Sequence, residues 1–295
     1  MKVFQTRDAS GAVRLGVLEG ERAFTLTRAH EGVESSLDLF KAIADGGLDA
    51  DQWMKSAKAA GAFSESAWTA LAEGKGDVRL TVPLTPPEVW GAGVTYKRSA
   101  EFREEGTGIY DRIYAAERPE LFFKATASRC AGPGEPIGKR RDSTFTATEP
   151  ELAVVLSSTG TVLGCTLAND VSAWDIERDN PLYLPQSKVY DGCFAFGPVI
   201  VTADAFDHAH DFVLECVVSR GGAQVFSGRA STAQLNRPIS ELAKWLRKSN
   251  AIPTGTVLST GTGIIQPLGS GLEEGDVVTI SCPDIGALTN PVALV

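Results

Sequence analysis

Short apolar runs separated by turn residues open the chain. Apolar and polar positions alternate through Val3–Leu26, with Gly11 in one of the turns, and this pattern predicts a β-meander. The apolar spacing then changes to three and four residues through Ser36–Ala44, which predicts a helix. Trp53–Ala60 and Ser66–Ala72 carry the pattern of two further short helices.

A proline-rich stretch at residues 82–87 follows this first region. Prolines at positions 83, 86 and 87 cannot continue a helix and favour a connection between structural units. We therefore predict a small N-terminal α+β domain over residues 1–82 and a larger catalytic domain over residues 83–295.

The larger region is dominated by short apolar runs that Gly- or Asp-containing turns separate, a pattern typical of β-rich folds. The predicted strands are Glu88–Val94, Leu121–Lys124, Glu151–Leu156, Val162–Ala168, Phe196–Val201, Phe212–Ser219, Val257–Thr260 and Val277–Cys282. Helices are predicted at Tyr96–Glu105, Ile109–Glu117 and Ile239–Lys248. Because strands and helices do not alternate regularly, we predict a β-rich α+β fold and not a Rossmann-type sheet.

Composition narrows the possible functions. The 295 residues include 28 basic and 37 acidic side chains, for a formal net charge of −9, which argues against a nucleic-acid or anionic-membrane partner. No apolar run has the length of a membrane span, and the first residues lack the apolar core of a signal peptide. Five cysteines without a CxxC pair predict free thiols in a reducing cytoplasm.

The segment around Pro150 carries the most informative chemistry. Glu149 and Glu151 are two residues apart, so on a strand their carboxylates point to the same face. Paired carboxylates repel each other, and a hard divalent cation such as Mg²⁺ or Mn²⁺ relieves that repulsion. Pro150 cannot donate a ladder hydrogen bond and indicates a strand start or edge. A solvated strand is the alternative interpretation of these residues alone.

A third carboxylate strengthens the metal interpretation. Asp170 follows the apolar strand Val162–Ala168, at a position where an acidic side chain often marks a site. Asp175 is a competing candidate, since it can also cap or pair locally. Histidine is scarce: positions 30, 208 and 210 hold the three in the chain, so any histidine base has to come from these.

Four motifs, in order, resemble the fumarylacetoacetate hydrolase superfamily over residues 86–295. They are Glu149-x-Glu151, Asn169-Asp170-Val-Ser-Ala-x-Asp175, Ser187-Lys188-x-x-Asp191-Gly192, and a C-terminal group from Ser259 to Val292. The resemblance implies a catalytic domain with a mixed β-roll, and a homodimer or homotetramer. It also implies a divalent metal, foremost Mg²⁺ with Mn²⁺ or Ca²⁺ as alternatives, whose ligands are Glu149, Glu151 and Asp170.

Members of this superfamily act on small 2-oxo acids. The resemblance implies that the metal chelates the substrate carboxylate and the adjacent keto oxygen and stabilises an enolate. Two features indicate a branch that dehydrates sugar acids. Arg98 stands where the hydrolytic members carry a histidine, and residues 116–126 resemble the corresponding segment of 2-keto-3-deoxy sugar-acid dehydratases.

The expected reaction is dehydration of a 2-keto-3-deoxy pentonate, of arabinonate or xylonate type, to 2-oxoglutarate semialdehyde. Under this hypothesis Lys188 is the base at C3, and Glu120 donates a proton to the departing C4 hydroxyl. Arg98, Lys124 and Thr262 are expected to bind the substrate.

The sequence also allows other interpretations. A hydrolase of acylpyruvate or fumarylpyruvate type is the alternative reaction, and a non-enzymatic relic that binds 2-oxo acids is a further one. Residue by residue, Lys188 can pair with Asp191 at the surface, Lys124 can extend its amine out of a strand, and Glu120 can be an exposed strand residue. Trp174 is expected in the core.

Overall fold

The computed structural model describes residues 1–74, 76–96, 114–206 and 210–295. Within these ranges the chain forms mixed sheets with few helices, which confirms the predicted β-rich α+β class. No helix in the described ranges combines the length and the apolar character needed to cross a membrane.

The first 81 residues form a meander with helices packed against it. Its strands are β1 Lys2–Arg7, β2 Val13–Glu19, β3 Arg22–Leu26, β4 Phe63–Ala67 and β5 Arg79–Thr81. Its helices are α1 Ser36–Ala44, α2 Ala50–Ala59 and α3 Trp68–Ala72. α1 begins where Ser35 and Asp38 form a capping box, which satisfies amide groups that have no partner inside the helix.

The larger region supplies most of the strands. They are β6 Val89–Gly93, β7 Glu120–Ala125, β8 Cys130–Ala131, β9 Ile137–Lys139, β10 Thr146–Ala147, β11 Pro150–Leu156, β12 Val162–Asp170, β13 Ser172–Ala173, β14 Phe194–Thr202, β15 Val213–Arg220, β16 Ala223–Ser231, β17 Thr256–Ser259, β18 Val277–Cys282 and β19 Gly286–Leu294. The helices are α4 Trp174–Asp179, α5 Leu184–Lys188 and α6 Ile239–Leu246.

One large sheet runs through both regions. Its strand order is β4-β3-β2-β1-β14-β12-β11-β17-β6-β7, with β5 beside β1 and β8 beside β14. β1 and β14 are antiparallel, and Lys2 lies opposite Val201. The N-terminal strands therefore continue the sheet that carries the central strands β11 and β12. The domain division at residues 82 and 83 stays a prediction from sequence.

A second sheet covers one face of the first. Its order is β16-β15-β18-β19-β9, and β10 and β13 form a separate short pair. β11 is buried on both faces: Leu152 and Val154 belong to the core that includes β15 and β18, whereas Ala153 and Val155 belong to the core that includes α1 and α2. The central strands are thus held between two apolar layers, which fixes the position of the residues at their ends.

The predicted elements agree with the structure where apolar patterning is strong. All eight predicted strands are present within two residues of their observed ends, and α1 has the predicted bounds. The sequence did not predict β16, which is largely exposed and polar along its length. It also did not predict β19 or the short strands β8, β9, β10 and β13. The predicted helix Tyr96–Glu105 and most of Ile109–Glu117 lie outside the described residues.

Candidate active site

Three carboxylates meet where two antiparallel strands begin and end. Glu149 directly precedes β11, Glu151 is its second residue, and Asp170 is the last residue of β12. Pro150 lies opposite Asn169 in the ladder, so the start of one strand adjoins the end of the other. One oxygen from each carboxylate lies within 4.8 Å of the other two, and all three side chains are buried.

Lys188 supplies positive charge to this cluster. Its Nζ donates to Oε2 of Glu149 at 2.9 Å and to Oδ2 of Asp170 at 3.0 Å, and a third hydrogen bond of 2.6 Å goes to the Ser172 hydroxyl. The side chain is 3% exposed and reaches the carboxylates from the last turn of α5. Burying several carboxylates is costly unless cations compensate them, and Lys188 meets part of that need.

Lys124 approaches Asp170 from the other side. It is fully buried on β7, and its Nζ lies 2.6 Å from Oδ1 of Asp170. The same ammonium donates to the backbone carbonyls of Val171 at 2.8 Å and Lys188 at 2.6 Å. Lys124 therefore joins the end of β12 to the end of α5 and fixes two of the groups around the cluster.

The two glutamates also receive hydrogen bonds from uncharged donors. The indole of Trp174 donates to Oε1 of Glu149. Oε2 of Glu151 accepts from the Ser259 hydroxyl at 2.6 Å and from the amide of Gly261 at 2.7 Å. Gly261 has φ +93°, and a Cβ there would overlap the Thr95 hydroxyl, so this backbone approach requires glycine.

The donor set fits a hard divalent cation. Such ions take carboxylate oxygens as ligands, and the three side chains present them in one buried cluster. Oδ1 of Asp170 is buried and forms an ion pair with Lys124, but the direction of the Lys124 amine does not give it a hydrogen bond. Burial, together with the charges of Asp170 and Glu149, raises the pKa of Glu151 to about 8. Without a cation, the cluster therefore favours keeping a proton on Glu151.

A small cavity opens onto the carboxylates. Its lining includes Glu120, Glu177, Lys188, Phe122 and Thr262 in addition to the three carboxylates. The Thr262 hydroxyl donates to the carbonyl of Pro150 at 2.7 Å, so it braces the cavity wall. Glu120 lies opposite Gly93 across β6 and β7, and a Cβ at position 93 would overlap its carboxylate.

The structure thus brings together Glu149, Glu151, Asp170, Lys188, Glu120 and Thr262 around one cavity. Lys124 contacts Asp170 but is not part of the cavity lining, and Arg98 lies outside the described residues. Asp175 accepts hydrogen bonds from Ser143 and Thr144 instead of joining the cluster. His30 and His210 contact Ser56 and Asp284, away from the carboxylates, and His208 lies outside the described residues.

Sequence reasoning gave no role to several residues of the site. Trp174 was expected only in the core, and it is both buried and bonded to a candidate ligand. Glu177 lines the cavity from α4, and Gly93 makes room for Glu120. Ser259 and Gly261 lie inside the C-terminal motif, so their place in the motif was the available signal.

We expect Lys124→Met to lower the free energy of unfolding by about 3–5 kcal/mol, because it leaves the buried Asp170 with one cation fewer and two carbonyls without their donor. Urea denaturation of the metal-free protein measures the change. Lys244→Met, on the exposed side of α6, is the matched control and should stay within about 0.5 kcal/mol of the wild type. Equal stabilities of the two variants would contradict the role given to Lys124.

Metal binding should depend on pH through Glu151. Because its folded-state pKa is raised above the usual value, the proton stabilises the metal-free fold at low pH, and that contribution disappears as pH rises through about 8. A cation needs the ionised form, so its apparent affinity should rise by up to about tenfold per pH unit between pH 6 and 8. Calorimetric titration with Mn²⁺ at several pH values measures this slope. A flat profile would contradict it.

This chain matches a family model and several curated relatives. The C-terminal model of fumarylacetoacetate hydrolase covers residues 88–293. A 2-dehydro-3-deoxy-D-arabinonate dehydratase from Saccharolobus solfataricus is 48% identical over 223 residues, which are 73% of this chain and 75% of the relative. A probable 2-keto-3-deoxyxylonate dehydratase from Haloferax volcanii is 41% identical over 74% of this chain and 76% of its own length.

Solved structures agree over the whole chain. The apo form of a 2-keto-3-deoxy-D-arabinonate dehydratase superposes with a TM-score of 0.85 at 37% identity, covering 100% of this chain and 99% of the other. The same dehydratase complexed with magnesium and 2,5-dioxopentanoate gives a TM-score of 0.84 with the same identity and coverage. Because the family model covers residues 88–293 and these relatives match most of the chain, the chain belongs to the fumarylacetoacetate hydrolase family.

Proposed function

We propose that this protein is a metal-dependent hydro-lyase that converts a 2-keto-3-deoxy pentonate to 2-oxoglutarate semialdehyde. The observation that carries the proposal is the position of Lys188 and Glu120, which line one cavity with the three carboxylates. The two dehydratase relatives support the substrate class, and the solved complex with 2,5-dioxopentanoate, another name for the semialdehyde, supports the product.

Glu149, Glu151 and Asp170 would hold the cation, with Mg²⁺ supported by the magnesium complex of the structural relative. When bound, a divalent cation supplies Lewis-acid polarisation of the keto group beside the substrate carboxylate, which makes the C3 hydrogens more acidic. The buried and hydrogen-bonded setting of the three carboxylates keeps them oriented for this task without reorganisation.

Lys188 is the proposed base for the C3 proton. Its amine lies at the cavity wall, where Ser172 and two of the carboxylates hold it. A cation bound by the three carboxylates would take over the charge compensation that the ammonium provides, so Lys188 would act as the base in its neutral form. Proton removal from C3 and loss of the C4 hydroxyl as water form a C3–C4 double bond. A proton then leaves C5 and one returns to C3. The resulting C5 enol takes a proton at C4 and gives up its hydroxyl proton, which leaves the aldehyde.

Glu120 is the proposed acid for the departing hydroxyl. It begins β7 and lines the cavity, and Gly93 on the neighbouring strand leaves the space its carboxyl group occupies. Arg98 and Thr262 are proposed to bind the substrate. Lys124 acts on the same end of the site through Asp170, since it lies behind that carboxylate.

The cytoplasm is the proposed location, supported by five cysteines that are all free thiols. A homodimer or homotetramer is proposed as well. The exposed edge strand β16 offers backbone groups for association, and light scattering in solution tests this.

The reaction is tested by incubating the protein and Mg²⁺ with 2-keto-3-deoxy pentonates and, separately, with acylpyruvates. Dehydration should yield the semialdehyde, detected by an aldehyde dehydrogenase coupled to NAD reduction, and chelator treatment should abolish it until Mg²⁺ is restored. Pyruvate released from acylpyruvates at the higher kcat/KM would instead identify a hydrolase, and full activity after chelation would overturn the role of the metal.

Lys188→Met should abolish exchange of the C3 protons with D₂O and lower kcat by about 10²–10⁴-fold, because the variant keeps the side-chain length and loses the base. Proton NMR of the substrate follows the exchange, and Mn²⁺ titration shows whether the metal still binds. Exchange that persists in a folded, metal-binding variant would assign the base to another residue.

Gly93→Ala should displace the Glu120 carboxyl group and lower kcat with little loss of stability, because the atom it meets is the end of a flexible side chain. In combination with Glu120→Gln the loss should be no greater than that of Glu120→Gln alone, since both changes act on one group. Steady-state kinetics of the two single variants and the double variant measure this. Additive losses would separate Gly93 from the function of Glu120.

A further inference from the structure

Trp174 is the first residue of α4 and lies at the edge of the carboxylate cluster. Its backbone amide donates to the carbonyl of Phe145 at 3.0 Å, and its ring packs against Phe145 with the centroids 5.6 Å apart. With Ala147 and Ile265 these residues form a small apolar cluster of their own. The ring is 2% exposed and is held by packing within this cluster, whose Ala147 belongs to β10.

A buried indole needs an acceptor for its N–H, and here the acceptor is a carboxylate. Most buried indoles can be satisfied by a backbone carbonyl, whereas a bond to an ionised oxygen is shorter and stronger. Because the ring is held by packing, the bond restrains Glu149 more than it restrains Trp174.

The two oxygens of Glu149 are held from different directions. Oε1 accepts from Trp174 and Oε2 accepts from Lys188. Two donors on separate oxygens fix the plane of the carboxylate, and each oxygen retains further lone-pair capacity for another ligand. Rotation of the carboxylate away from Glu151 and Asp170 would break one of these bonds.

The charge of the donor matters as well as its direction. Lys188 already places one positive charge on Oε2 of Glu149. A second cationic donor on Oε1 would add to the repulsion of a divalent ion bound to this carboxylate, whereas the neutral indole orients the carboxylate without adding charge. Glu151 likewise accepts from uncharged donors, since Ser259 and Gly261 both donate to its Oε2.

We propose that Trp174 is a positioning residue that holds Glu149 in the orientation needed to bind the divalent cation. This inference rests on the metal site of the proposed function. Trp174 is absent from the cavity lining, so its effect falls on the metal and not on the substrate.

The test is Trp174→Phe, which keeps an aromatic ring against Phe145 and removes the N–H donor together with the smaller part of the indole. Calorimetric titration with Mn²⁺ should show affinity reduced by about 10- to 100-fold, as for other groups that orient metal ligands. At saturating Mn²⁺ the kcat of the variant should return close to that of the wild type. Trp245→Phe, on α6 beside Arg118 and Lys248, is the matched control and should leave the affinity unchanged.

A purely structural role would lower the thermal stability of the metal-free variant and leave its Mn²⁺ affinity within twofold of the wild type, and that result would overturn the proposal. If Trp174→Phe does not fold, the wild type labelled with ¹⁵N-tryptophan provides the test. Titration with Mg²⁺ should shift one of the five indole N–H resonances strongly. Magnesium binding by calorimetry without any such shift would overturn the inference, and absence of binding of either ion to the wild type would overturn the metal site as well.

Discussion

The central constraint on this structure is the burial of three carboxylates within a few ångströms of one another. Like charges at such separations in a low-dielectric interior destabilise the fold strongly unless they are neutralised or paired. The residues around Glu149, Glu151 and Asp170 are explained by this requirement. Two lysines, an indole, a hydroxyl and a backbone amide are directed at five of the six carboxylate oxygens. The negative charge that these donors leave uncompensated destabilises the metal-free fold, and it also provides the affinity for a divalent cation.

Charged and uncharged donors are distributed unequally over the cluster. Both lysines contact Asp170, and Lys188 also donates to Oε2 of Glu149. Oε1 of Glu149 and Oε2 of Glu151 accept from neutral groups. These donors stabilise the cluster but leave part of its negative charge uncompensated, so binding of a cation still lowers the free energy. Lys188 lies at the border between the carboxylates and the cavity, so its amine contacts carboxylate oxygens while its side chain lines the cavity.

Much of this site was accessible from sequence, because strand periodicity places Glu149 and Glu151 on one face and an apolar run leads directly to Asp170. Strand periodicity does not show how far along the strand a side chain lies from the cavity. Lys124 comes four positions after Glu120 on β7, about 13 Å along an ideal strand, so one lines the cavity and the other lies behind Asp170. Trp174 and Gly93 depend on contacts between distant segments and on strand register, which local pattern does not encode. The polar edge strand β16 escaped prediction for a related reason: its pairing with β15 stabilises it, and its own side chains bury little.

The pairing of β1 with β14 bears on how the chain can be divided. β14 lies next to β12, whose last residue is Asp170, and its Phe194, Phe196 and Ile200 share a core with Val3 and Phe40. Removing the first 82 residues would uncover an apolar face and an unpaired strand margin one strand away from the carboxylates, which favours aggregation. The N-terminal region, which the sequence pattern separates from the rest, therefore supports the strands that carry the carboxylates.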